Sequence, residues 1–181
     1  MAHIHTQPGQ HDLTISAFIV RTDMGEPKVL LHRHKRLGIY LQVGGHVELS
    51  ETPWAALVRE VGEESGFTIE QLRVYQPAQR LRAVRTLVHP QPVCVRTHRF
   101  GDLDHFHTDL AYALQASAEP MGHLAPGESD ALAWVSRGEL QSLPPDATVP
   151  DVLEAYLYVL DEVVPTWEPV RMDAFSLVDP A

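Results

Sequence analysis

Residues 45–67 read GHVELSETPWAALVREVGEESGF, and the change of period inside this stretch decides how the rest of the chain is arranged. Thr52 is a good N-cap, Pro53 suits the first helical position, and Trp54, Leu57, Val58 and Val61 recur at helical spacing as far as Gly66. A loop, a helix and a second loop are therefore predicted. At 100° per residue Glu60 stands at 0°, Glu63 at about 300° and Glu64 at about 40°, so three carboxylates crowd an arc of about 100°. Like charges at this spacing repel, and a bound divalent cation is the economical remedy. The apolar residues fall between about 60° and 160°, so the acidic arc borders the packing face and is expected at the edge of a cleft. All-oxygen ligation favours Mg2+, with Mn2+ as a substitute, over zinc, which prefers nitrogen and sulfur. A solvated acidic helix face is the other reading of the same residues.

Working outward, Leu13, Ile15, Ala17 and Ile19 alternate with polar or small residues, and Lys28 to His34 forms a second β-like run after the turn-prone residues 23–27. A hairpin over 12–34 is predicted. Beyond the helix, strands are predicted at 72–76, 79–88, 93–100 and 105–114, interrupted by Pro90-Gln91-Pro92 and Gly101-Asp102. A loop rich in Pro, Gly and acids spans 119–130, and 131–135 reads as a short closing strand. Pro150 opens a last helix with Val152, Leu153, Tyr156, Leu157, Leu160 and Val164 on one apolar face. Residues 166–181 take no assignment. Strands, helix, strands, helix indicate an α/β (α+β) fold with a mixed sheet covered by helices, and 181 residues suit a single domain with a core over about 12–165.

The formal charge of -10, from 24 acidic and 14 basic residues, with no dense run of Lys and Arg, argues against a nucleic-acid polymer as partner. An anionic small molecule would meet the same repulsion unless a cation bridged it. The single cysteine, Cys94, cannot form an internal disulfide, so a reducing, cytoplasmic setting is expected. No apolar run approaches the roughly 20 residues of a membrane span, and no membrane partner is expected.

The segment Gly45–Phe67 resembles the Nudix box, G-x5-E-x7-R-E-U-x-E-E-x-G-U with U a bulky apolar residue, at every defined position: Gly45, Glu51, Arg59, Glu60, Val61, Glu63, Glu64, Gly66 and Phe67. The flanks are also similar to the family, through the run Val29-Leu30-Leu31-His32, the pair Gly44-Gly45 and the acidic loop leading to Trp134, Val135, Glu139 and Leu140. The likeness then spans about 12–141. One departure is Val43, where the family commonly has proline, which bears on loop stiffness. The resemblance implies an α/β/α sandwich whose loop-helix-loop at about 45–67 hydrolyses the diphosphate linkage of a nucleoside diphosphate joined to another moiety, such as a nucleotide sugar, ADP-ribose or a nucleoside triphosphate, a small-molecule diphosphate substrate. By position, Glu60 and Glu64 would ligate the metal, Glu63 would ligate it or act as base, and the Gly44 carbonyl would complete the shell. Arg59 and Glu51 would be structural, Arg59 orienting the carboxylates through ion pairs. The base would be Glu63, Glu60 or an acid outside the box, for which Glu128 is the candidate and Asp130 and Glu119 compete.

In the run from His105 to Tyr112, residues His105, His107 and Asp109 would share one face of a strand. They could line the substrate cleft, form a satisfied polar face, or bind a transition metal as a His-x-His-x-Asp set. Arg80, Arg82 and Arg85 could take phosphate oxygens or be ordinary surface charge. His32, His34, Lys35 and Arg36 lie just before the glycine pair, and Trp54 reads as core. Two other functions stay open: a nucleotide or ADP-ribose sensing module without turnover, and a hydrolase of non-nucleotide diphosphates. A homodimer also stays open, because the last helix and the tail can pack on the sheet or on a second subunit.

Overall fold

The computed structural model describes residues 4, 9–81, 86–99 and 105–178. Its centre is a parallel pair of long strands, β1 (His11–Arg21) and β7 (Phe106–Ala116), matched along their whole length from His11↔Phe106 to Arg21↔Ala116. Each of the two divides its outer edge between two partners. The last residues of β1 pair with β2 (Lys28–Arg33) in the expected hairpin, while Thr14 to Ala17 pair with β4 (Val43–His46). On β7, Leu114 to Ala116 pair with β5 (Leu72–Gln76), and Phe106 to Ala111 pair with β6 (Cys94–Arg99). Short β3 (Tyr40–Leu41) and β8 (Leu132–Ser136) add to β2.

Strand alternation loads both faces of this sheet. Ile15, Ala17 and Ile19 of β1 pack with Trp54, Leu57 and Val61 of α1 (Pro53–Ser65), while Phe18 and Val20 pack on the opposite face. There they meet Val152 and Tyr156 of a closing helix (Pro150–Tyr158), which runs on through a π turn, Val159–Val163. The Tyr156 hydroxyl donates to the Leu30 carbonyl, fixing that helix to β2. The result is the helix, sheet, helix layering expected from the element order.

Besides β3 and β4, short strands that the sequence reading does not assign, the structure departs from it in two places. The strand expected at 79–88 is absent from its described residues, 79–81 and 86–88. Pro77, Pro90 and Pro92 remove donors there, and the Gln76 side chain closes the neck of the loop instead, accepting from Gln91 N and donating to Gln91 O at 2.8 and 3.0 Å. The tail left unassigned contains β9 (Glu168–Arg171), which pairs with β5 and so takes the sheet edge. Beyond it Met172 is buried, and the Phe175 ring lies 5.8 Å from that of Trp54.

Candidate functional site

Helix α1 forms where the caps require. The Thr52 hydroxyl accepts from Ala55 N at 3.2 Å, Pro53 occupies the first turn, and Gly66 ends the helix at φ 72°. A side chain at Gly66 would be strained by that φ and would also press on the Gly122 carbonyl, 2.9 Å from the position of a Cβ. Gly122 N and Ala125 N donate to the Gly66 and Glu63 carbonyls at 2.9 and 2.8 Å. The acidic loop is thereby laced to the C-terminal end of α1, and this brings Glu128 toward the helix.

The three box carboxylates have three environments. Glu60 is 1% exposed and Glu64 8%, whereas the Glu63 side chain is 42% exposed at the rim. Glu64 accepts a 2.9 Å hydrogen bond from Gly44 N, and His32 Nε2 lies 3.7 Å away. Desolvation pushes the Glu64 carboxyl up to about 8 against the relief given by the Gly44 N–H, with Glu60 and Glu128 adding repulsion. Glu60 rises to about 7 by desolvation, opposed by the Arg59 guanidinium and aided by Glu63 and Glu128. Burial lowers His32 to about 4, so it is neutral at pH 7 and supplies no counter-charge.

Arg59 is the hub of the acidic turn. Its Nη2 reaches Glu51 Oε1 at 2.6 Å, and its Nη1 reaches Glu60 Oε1 at 2.7 Å and Glu63 Oε2 at 3.2 Å. Nη2 also donates to the His46 carbonyl at 3.1 Å, tying α1 to β4. Glu51 in turn accepts from Glu48 N at 2.9 Å. Gly44 sits at φ +154°, with the Ile15 carbonyl oxygen 2.2 Å from where a Cβ would stand, so only glycine lets β4 approach β1 this closely. That approach is what sets Gly44 N against Glu64.

A cleft of about 360 Å3 opens beside these groups, lined in part by Gly44, Glu64, Glu128, His107 and Asp109. Its size is that of an ordinary small-ligand pocket. Glu60 and Glu63 are not part of its lining. Asp109 is held by Thr14 Oγ1 at 3.0 Å, Ser16 Oγ at 2.9 Å and Arg96 Nε at 3.1 Å, so it serves as an anchor for Arg96 and does not join the histidines beside it. His105 and His107 instead converge with Asp12. Lys35, Arg36 and Arg96 give the cleft a cationic rim.

Several expected residues lie elsewhere. Arg80 donates to the Pro77 carbonyl at 2.8 Å and stands 3.5 Å from Glu168, away from the cleft lining; Arg82 and Arg85 lie outside the described residues. Glu119 is paired with Arg21, and Asp130 is exposed. Trp54 is fully buried against Tyr112. Sequence reasoning missed Thr14, Ser16, Gln42, Arg96 and His98 as cleft residues. The polar alternation Asp12, Thr14, Ser16 at the start of an otherwise apolar strand was the one available signal.

The residues fit a divalent cation. Two carboxylates are nearly sealed from water, both are disfavoured as anions by that burial, and among the described residues one N–H and one guanidinium donate to them.

Comparison with known proteins places this geometry. A family model described as NUDIX domain matches residues 11–156. Among solved structures, a hydrolase of the NUDIX family from Clostridium perfringens is 27% identical with a TM-score of 0.65, covering 83% of this chain and 96% of its own. The NUDIX domain of Shewanella oneidensis NrtR, solved with ADP ribose, is 15% identical with a TM-score of 0.60, covering 87% and 89%. A C. elegans Ap4A hydrolase is 18% identical with a TM-score of 0.55, covering 82% and 92%. No curated protein matches the chain.

Proposed function

Since the chain belongs to the NUDIX family and is a pyrophosphohydrolase of the Nudix type, we propose that it cleaves the diphosphate linkage of a nucleoside diphosphate joined to another moiety, using Mg2+ held by Glu60, Glu63 and Glu64 with the Gly44 carbonyl. The observation that carries this reading is the burial of Glu64 in the wall of a ligand-sized cleft, with buried Glu60 one turn away on the same helix, where burial disfavours both as anions. A bound divalent cation supplies positive charge to the diphosphate oxygens and makes the attacking water more acidic. Arg59 holds Glu60 and Glu63 in register, so that the donors are ordered before substrate arrives. Glu128, laced to the end of α1 and facing the cleft, is the proposed base that takes the proton from the attacking water.

The cationic rim of Lys35, Arg36 and Arg96 suits further phosphate oxygens, and the cleft suits a nucleotide-sized group. ADP ribose and Ap4A, the ligands named for two structural neighbours, both contain such a linkage, which supports nucleotides over isoprenoid or polyphosphate substrates. The test is hydrolysis of a panel of nucleotide sugars, dinucleoside polyphosphates, ADP-ribose, nucleoside triphosphates and coenzyme A, with the products identified. Release of a nucleoside monophosphate that stops in EDTA and returns partly with Mn2+ is expected. Full activity in metal-free buffer, or wild-type activity in Glu64→Gln, would refute the assignment.

A further inference from the structure

A second set of metal-ligating side chains stands outside the glutamate helix. Asp12 on β1, His105 just before β7 and His107 within it each offer one ligand atom, and these atoms all lie within 4.8 Å of one another. All three are buried, at 1%, 2% and 6% exposure. His46, the last residue of β4, brings its Nε2 to 3.4 Å from Asp12 Oδ2, and His105 Nε2 is 3.2 Å from the same oxygen. Ring contacts complete the cluster: His107 lies 5.0 Å from His46 and 5.2 Å from His105.

We propose that Asp12, His46, His105 and His107 form a binding site for a transition-metal dication, with zinc as the best fit, separate from the glutamate site. Three imidazoles and one carboxylate are the donor set that zinc prefers and that magnesium does not. The spacing agrees as well. Bonds of about 2.0–2.1 Å in a tetrahedron put neighbouring ligand atoms about 3.3 Å apart, close to the two separations seen around Asp12 Oδ2. The His107 ligand atom stands within 4.8 Å of those of Asp12 and His105. The backbone supports the site without help from the metal, since His11↔Phe106 and Asp12↔His107 are register partners in the parallel pair and Thr14↔His46 fixes β4 beside them. Three strands therefore deliver four donors to one point from sequence positions up to 95 residues apart.

Burial gives the cluster a reason to take a cation. A buried carboxylate flanked by three imidazoles is a set of donors that a divalent ion can coordinate together, and the ion's charge would offset that of the carboxylate. His46 and His107 also line the cleft, so the ion would sit in the cleft wall and join β1, β4 and β7 there. It would hold the substrate end of the cleft rigid without being the ion on the glutamates.

The test is Co2+ titration of protein stripped of metal, read by visible absorption, because four-coordinate Co2+ absorbs far more strongly than the six-coordinate ion expected on carboxylates. Wild type and Glu64→Gln are both expected to bind one equivalent with the intense spectrum. Zn2+ should abolish that spectrum stoichiometrically, and a large excess of Mg2+ should leave it. His105→Asn and His107→Asn, checked for folding by circular dichroism, are each expected to weaken binding at least about tenfold, the low end of what loss of even an outer partner costs. The wild-type competition needs no variant and stands if a variant fails to fold. A faint spectrum only, an intense one lost in Glu64→Gln, or an intense one retained in both histidine variants would overturn the proposal. Hydrolysis is assayed separately, so an inactive protein that still shows the intense spectrum would fail the functional reading and not this one.

Discussion

Replacing Glu64 by glutamine should make the metal-free protein more stable while disabling it. Glu64 has a folded value near 8 against 4.5 for an ordinary glutamate, mainly through burial. A carboxyl raised in this way contributes its stability below pH 4.5, where both states hold the proton, and loses it as pH rises through 8. Between those limits the unfolded chain has given up a proton that the folded chain keeps, so stability falls by about 1.4 kcal/mol per pH unit, or about 3 kcal/mol by pH 7. Glutamine keeps an oxygen for the Gly44 N–H and carries no charge, but its buried amide has a cost of about 1–3 kcal/mol. The net expectation in EDTA at pH 8 is that Glu64→Gln is more stable by about 1–3 kcal/mol, or about 3 °C in Tm per kcal/mol for a chain of this length. The gap should vanish or invert at pH 4.5, where only the amide's cost remains, and Mg2+ should reverse it at pH 8, since wild type gains a linkage energy of about 4.1 kcal/mol at a thousandfold excess over Kd. Thermal melts at pH 5 and 8, with EDTA and then Mg2+, measure all four corners. A variant less stable than wild type in EDTA at pH 8, or a gap that ignores pH, would refute the picture of Glu64 as a strained buried acid.

Arg59→Ala should remove the counter-charge of buried Glu60, with a loss of about 2–4 kcal/mol after discounting the guanidinium's partial exposure, read by urea unfolding. Arg59→Lys should recover only part of it, because a point charge cannot serve Glu51, Glu60 and Glu63 together. Gly44→Ala should cost about 1–3 kcal/mol and depress activity together, since its methyl group meets the Ile15 carbonyl and drives β4 away from Glu64. Glu128→Gln should lower kcat by about a hundredfold or more with Tm unchanged; an unaltered kcat would remove Glu128 as the base.

The helix that carries the three box glutamates was legible from sequence because its determinants are local. Thr52, Pro53 and Gly66 act within one turn of themselves, and the crowding of Glu60, Glu63 and Glu64 follows from 3.6 residues per turn alone. The hairpin of β1 and β2 was legible for the same reason, as was the face shared by His105, His107 and Asp109. Alternation along a strand says which residues point the same way but not what faces them. Only the parallel pairing of β1 with β7 set Thr14 and Ser16 against Asp109, and Asp12 against the two histidines. Likewise the tail carries too little pattern in four residues to announce a strand, and became β9 because β5 offered an open edge. Local geometry fixed the acidic turn, then, while the environment that makes Glu60 and Glu64 costly to ionise came from contacts the chain acquires only on folding.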